Sequence, residues 1–92
     1  MERKYKDANL EYVFNLLKTS SCKDCGISDM RLLQFDHVSD GKTRNVMSLV
    51  SRNGLDTIKE EINKCEIVCC NCHQIRTLTR ANSSRIKYYE NN

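Results

Sequence analysis

Two Cys-x-x-Cys pairs, Cys22/Cys25 and Cys69/Cys72, constrain this chain more than any other feature. Two thiolates two residues apart can grip one ion from a tight turn, and two such turns complete a tetrahedral four-sulfur site. Residues 26–68 separate the pairs, far more than the roughly 15–20 residues of a simple zinc ribbon. Folded structure must therefore fill the interval. A staple is also needed. At 92 residues, with 39% hydrophobic and 29% charged residues, no Trp, no Pro and two Phe, the chain is one domain with a core too small to be comfortable alone. A structural zinc is worth ~10–16 kcal/mol in small peptides at neutral pH.

Residues Met1 to Asp7 lack the apolar stretch of a secretory signal. No apolar run nears the ~18 residues of a membrane helix. The expectation is a cytoplasmic chain without membrane contact, whose reduced thiols bind metal rather than form disulfides. Cys65 and Cys70 fall outside the pairs and read as small buried hydrophobes. A ligand set using Cys70 in place of Cys69 is the alternative.

Hydrophobic spacing outlines the rest. Leu10, Val13, Phe14 and Leu17 fall at i, i+3, i+4 and i+7, so residues 5–19 form an amphipathic helix. Cys22 to Gly26 is a tight turn, with Gly26 free to take a positive φ. Leu33 to Asp36 alternates as a short strand, and His37 to Asn45, containing Asp40-Gly41, is loop. Val46 to Val50 suits either a helical turn or a strand. Residues 56–64 read as a helix lined by Leu55, Ile58 and Ile62, with Glu60 and Glu61 suited to its first turns. Glu66 to Val68 is a second strand. A helix starts at Cys70, with Ile75 and Leu78 inward, weakens at Asn82-Ser83-Ser84, and frays from Tyr88. The expected organisation is a single domain over 1–92: an N-terminal helix (1–20), a zinc-stapled core (21–80) and a C-terminal extension (81–92).

The net charge is +3. Residues 70–92 carry Arg76, Arg80, Arg85 and Lys87 against Glu90. The surplus thus sits at the C-terminal end, as for a local polyanion contact. The chain has two His, and both lie in informative places. His37 follows Asp36 at a strand end. His73 follows the last cysteine of the second pair, and Arg76, Thr77 and Arg80 stand at i+3, i+4 and i+7 from it on one helix face. An acid, two imidazoles and two guanidiniums describe a metal-assisted phosphodiester hydrolase. In a regular strand Asp36 and His37 point to opposite faces, so both reach one site only where the strand ends or bends.

In order along residues 20–80, the motifs are Cys22-x-x-Cys25-Gly26, Leu33-Gln34-Phe35-Asp36-His37-Val38, Glu61 to His73, and Arg76-Thr77. Together they resemble a small HNH endonuclease of the type common in phages. The resemblance implies an α+β fold with a ββα-metal (His-Me finger) core, a structural four-cysteine zinc beside it and the N-terminal helix packed on. It implies that His37 is the general base, that Asp36 and His73 ligate a catalytic divalent ion (Mg²⁺ or Mn²⁺), and that Arg76 lies near the cleaved strand. The family's middle Asn belongs five residues before Cys69, where this chain has Lys64. Asn63, one step earlier, is taken for that catalytic role, with Asn45 in the loop as the other candidate.

The expected activity is nicking or cutting of double-stranded DNA with weak sequence specificity. Arg76, Arg80, Lys42 and Arg44 would contact DNA. A protein partner could supply targeting, and the location would be the host cytoplasm for a phage protein. A non-catalytic zinc module that binds nucleic acid is the alternative.

Overall fold

The computed structural model describes residues 2–38 and 45–91. Lys42 and Arg44 lie outside the described residues. The fold is a small α+β arrangement. In order it comprises α1 (Glu2–Lys18), a single 3-10 turn (Met30–Leu32), β1 (Leu33–His37), α2 (Val46–Leu49), α3 (Leu55–Ile62), β2 (Cys65–Cys69), α4 (Cys70–Arg80) and α5 (Ser84–Asn91). Among the described residues no helix is long and apolar enough to cross a membrane.

β1 and β2 pair antiparallel, with Leu33 opposite Cys69, Asp36 opposite Glu66 and His37 opposite Cys65. Partners directly opposite in such a ladder point to the same face. Gln34, Asp36, Glu66 and Val68 therefore share one face, and Leu33, Phe35, His37, Cys65 and Ile67 the other. The His37–Glu61 and Asp36–Arg80 contacts place α3 on the second face and α4 on the first. The segment at 46–50 resolves as the short helix α2, started by Asn45, whose Oδ1 accepts from the Met47 N–H at 2.9 Å.

The core gathers Val13 and Leu17 of α1, Val46, Leu49 and Val50 around α2, Ile58 of α3, and Leu33 and Val68 of the strands. A buried polar residue, Asn9, ties α1 to the turn after α2: its Nδ2 donates to the Val50 and Asn53 carbonyls at 2.8 and 2.9 Å. Two expected core positions face outward instead. Phe14 is 42% exposed and Ile75 54%. The side of α4 turned toward β1 carries His73, Arg76 and Arg80, which bond Gln34 and Asp36, and Ile75 is two residues, roughly 200°, away from His73.

The predicted weak point after α4 is a defined stop. Asn82 takes φ 54°, a left-handed conformation that Asn tolerates. The Ser83 N–H bonds the Leu78 carbonyl and the Asn82 N–H the Thr79 carbonyl, both at 3.0 Å, which is the Schellman arrangement for ending a helix. The chain then resumes as α5, helical to Asn91 rather than frayed from Tyr88.

Candidate functional site

The four cysteines of the two pairs converge. The sulfurs of Cys22, Cys25, Cys69 and Cys72 all lie within 4.8 Å of one another. A tetrahedral zinc with bonds of ~2.3 Å needs sulfurs ~3.8 Å apart, and Cys25 Sγ lies 3.7 Å from Cys69 Sγ. The four residues thus fit zinc.

Each turn is built to carry a thiolate. The Cys25 N–H points at Cys22 Sγ and the Cys72 N–H at Cys69 Sγ, both at 3.4 Å. Gly26, at φ 83°, closes the first turn with its N–H on the Cys22 carbonyl at 2.9 Å. Cys69 is both the last residue of β2 and the N-cap of α4. Burial pushes the Cys22 thiol up, but backbone N–H groups at Cys69, Cys25 and Asp24 outweigh it and bring the thiol down to about 6. Burial and the neighbouring sulfurs push Cys72 far upward. A cluster that charges one sulfur and penalises another is what a cation would reconcile. Cys65 and Cys70 stand outside this cluster. Both are only half-buried, and the Cys65 thiol donates to the Glu61 carbonyl at 3.4 Å.

The second cluster lies at the C-terminal end of β1. Asp36 and His73 meet, with Asp36 Oδ1 3.4 Å from His73 Nε2. His73 Nδ1 lies 2.6 Å from Gln34 Oε1. An amide oxygen only accepts, so Nδ1 carries a proton, and Nε2 is the nitrogen that faces Asp36. Such a second hydrogen bond fixes the tautomer of a metal-ligating imidazole. A carboxylate oxygen and an imidazole nitrogen this close can be adjacent ligands of one cation.

The Asp36 carboxylate already has partners. Arg80 binds it in a fork, Nη1 to Oδ1 at 2.8 Å and Nη2 to Oδ2 at 2.7 Å, and Arg76 Nη1 adds 2.7 Å to Oδ2. The Arg80 guanidinium, seconded by Arg76, overcomes burial and holds the Asp36 carboxyl down to about 2. Arg76 also bonds Asp24, at 2.7 and 2.8 Å, and Glu66, at 2.9 Å. It therefore ties α4 to the first cysteine turn and bridges Asp36 and Glu66, which would otherwise repel across the ladder.

His37, on the opposite face of β1, meets Glu61 of α3, Nε2 to Oε2 at 2.7 Å. Both side chains are nearly buried. Against an ionised carboxylate Nε2–H donates, which leaves Nδ1 as the nitrogen not engaged by Glu61. Because β1 stops at His37, the two faces meet at its end. Asp36, His37, His73, Asn45, Thr77 and Arg80 border one open cavity of about 570 Å³.

Asn63 does not belong to this site. It is exposed at the C-cap of α3 and lines a different surface hollow with Lys23, Cys65 and Ile67. Two residues along a helix turn it by roughly 200°, so a helix that presents Glu61 to His37 turns Asn63 away. Asn45, the other candidate, does border the cavity.

Sequence reading missed Glu61 and Gln34. Glu61 sits at i+3 from fully buried Ile58, and an acid on a helix's apolar stripe requires a buried partner. Gln34 lies two residues before Asp36, hence on the same face of the strand. No protein-family model, no curated protein and no solved structure matches the chain.

Proposed function

We propose that this chain is a metal-dependent endonuclease of the HNH type, cleaving phosphodiester bonds of double-stranded DNA with weak sequence specificity. In this reading β1, β2 and α4 are the ββα-metal core, and the four-cysteine cluster is its structural zinc site. The observation that carries the reading is the 3.4 Å approach of Asp36 Oδ1 and His73 Nε2 beside a cavity that His37 also borders.

The chain's own groups divide the work. His37, its Nε2–H held by Glu61, takes a proton from the attacking water at Nδ1. Gln34 holds His73 with its Nε2 toward Asp36. Asp36 stays ionised at any physiological pH. Asp36 and His73 would hold the divalent ion, which when bound would supply Lewis-acid stabilisation of the charge that develops during cleavage. A mixed carboxylate and imidazole pair accepts Mg²⁺ and suits Mn²⁺ at least as well. Arg80, beside the cavity, offers a positive group for the DNA backbone.

The test is nicking of supercoiled plasmid by the zinc-loaded protein with Mg²⁺ or Mn²⁺. Wild type nicks, and His37→Ala does not. No nicking by wild type, or undiminished nicking by His37→Ala, removes the enzyme reading. A second reading, a zinc-stabilised module that binds nucleic acid without cleaving it, is favoured by one observation: both Asp36 oxygens are already bonded to arginines. That module would retain salt-sensitive DNA binding in the same assay without any nicking.

A further inference from the structure

Arg76 and Arg80 stand one turn apart on α4 and both bond Asp36, yet they are held very differently. The Arg76 guanidinium is shared among Asp24, Asp36 and Glu66, and its side chain is 18% exposed. The Arg80 side chain bonds Asp36 alone among the described residues and is 49% exposed. Arg80 is also the last residue of α4. It borders the cavity shared by His37 and His73.

Arg80 Nη1 occupies Asp36 Oδ1, the same oxygen that faces His73 Nε2. A cation drawing on Asp36 Oδ1 and His73 Nε2 would meet the Arg80 guanidinium at contact distance. Like charges at contact distance repel strongly even at an intermediate dielectric. One of the two must leave. Arg76 cannot leave without exposing Asp24 and Glu66 to each other and to Asp36. Arg80 can, because its head already borders water and only one carboxylate holds it.

We infer that Arg80 is a displaceable counter-ion of Asp36: a divalent cation at Asp36 and His73 drives it off, and it passes to a phosphate of the incoming DNA. The inference rests on the nuclease reading above. It assigns the two arginines different tasks, Arg76 as a fixed clamp and Arg80 as the group that couples cation to phosphate. Because coupling between two binding events is reciprocal, DNA tightens cation binding and the cation tightens DNA binding.

The test is Mn²⁺ binding to the zinc-loaded protein, followed by the spin-resonance signal of free Mn²⁺, with and without a short duplex DNA. In the absence of DNA, Arg80→Gln binds Mn²⁺ roughly tenfold more tightly than wild type, since the charge-assisted fork on Asp36 no longer competes. Duplex DNA tightens Mn²⁺ binding to wild type, and that tightening is absent in Arg80→Gln. Arg80→Lys, which keeps the charge without the fork, falls between the two and guards against a folding defect in the Gln variant. Equal Mn²⁺ affinity in wild type, Arg80→Gln and Arg80→Lys, with His73→Ala abolishing it, overturns the displacement and leaves the nuclease reading standing. Mn²⁺ binding that His73→Ala does not alter in any background overturns both.

Discussion

Glu61 Oε2 lies 2.7 Å from His37 Nε2, joining a helix to a strand across 24 residues of sequence. The contact holds the ring at the rim of the cavity. It occupies the place that an asparagine was expected to fill.

The first prediction concerns that pair. Glu61→Ala lowers the rate of plasmid nicking by roughly 10–100-fold, the usual effect of removing the partner that orients a functional imidazole. DNA affinity, measured by a gel shift without divalent metal, stays unchanged. Glu61→Gln keeps an accepting oxygen and loses less. An affinity loss equal to the rate loss would show that Glu61 only supports the fold.

Metal content gives the second. The purified protein binds zinc through Cys22, Cys25, Cys69 and Cys72, so Cys69→Ser loses both the metal and the folded far-UV dichroism. Cys65→Ser and Cys70→Ser keep both, since neither sulfur belongs to the cluster. A strong chelator unfolds the wild type, because a stabilisation of ~10 kcal/mol or more exceeds the margin of a domain this small. Retained structure after complete zinc removal would contradict this.

A third expectation separates the two arginines by stability. Arg76→Ala leaves Asp24, Asp36 and Glu66 short of a shared cation and costs about 3 kcal/mol, as for a broken buried pair. Arg80→Ala costs about 1 kcal/mol, because the half-exposed head is screened and Arg76 still holds Asp36. Urea denaturation of zinc-loaded proteins ranks them.

The fourth follows from the charge on Asp36. Its carboxyl is lowered from 3.8 to about 2, so its contribution to stability is complete above the unfolded value and disappears as pH falls through the folded one. In a His73→Ala background, which removes the imidazole beside Asp36, the penalty of Asp36→Asn, about 2 kcal/mol from weakened charge-assisted bonds, is therefore the same at pH 5.5 and pH 8. A penalty that changes across this range would mean that Asp36 titrates there.

Much of the architecture could be read in advance. The spacing of Cys22, Cys25, Cys69 and Cys72 specified a four-sulfur cluster, and short-range periodicity located β1, β2, α3 and α4 to within a few residues. Both signals are local: a tight turn fixes two thiols, and a 2.0 or 3.6 residue period fixes a face. The outward turn of Phe14 and Ile75 was not legible, because apolar residues at helical spacing do not say which of them the next layer covers.

The sequence by itself determined that two cysteine turns must meet and that an acid–imidazole pair ends the first strand. Only the tertiary structure decided the company those groups keep. Glu61 rather than Asn63 holds His37, because a helix that buries residue 61 turns residue 63 outward. Gln34 holds His73, and Arg76 and Arg80 close on Asp36 from a helix some 40 residues away. The ladder register sets buried Asp36 opposite half-buried Glu66, and a buried carboxylate beside a second one demands a cation. Which cation answers depends on what the facing helix presents, and spacing along one strand carries no record of that.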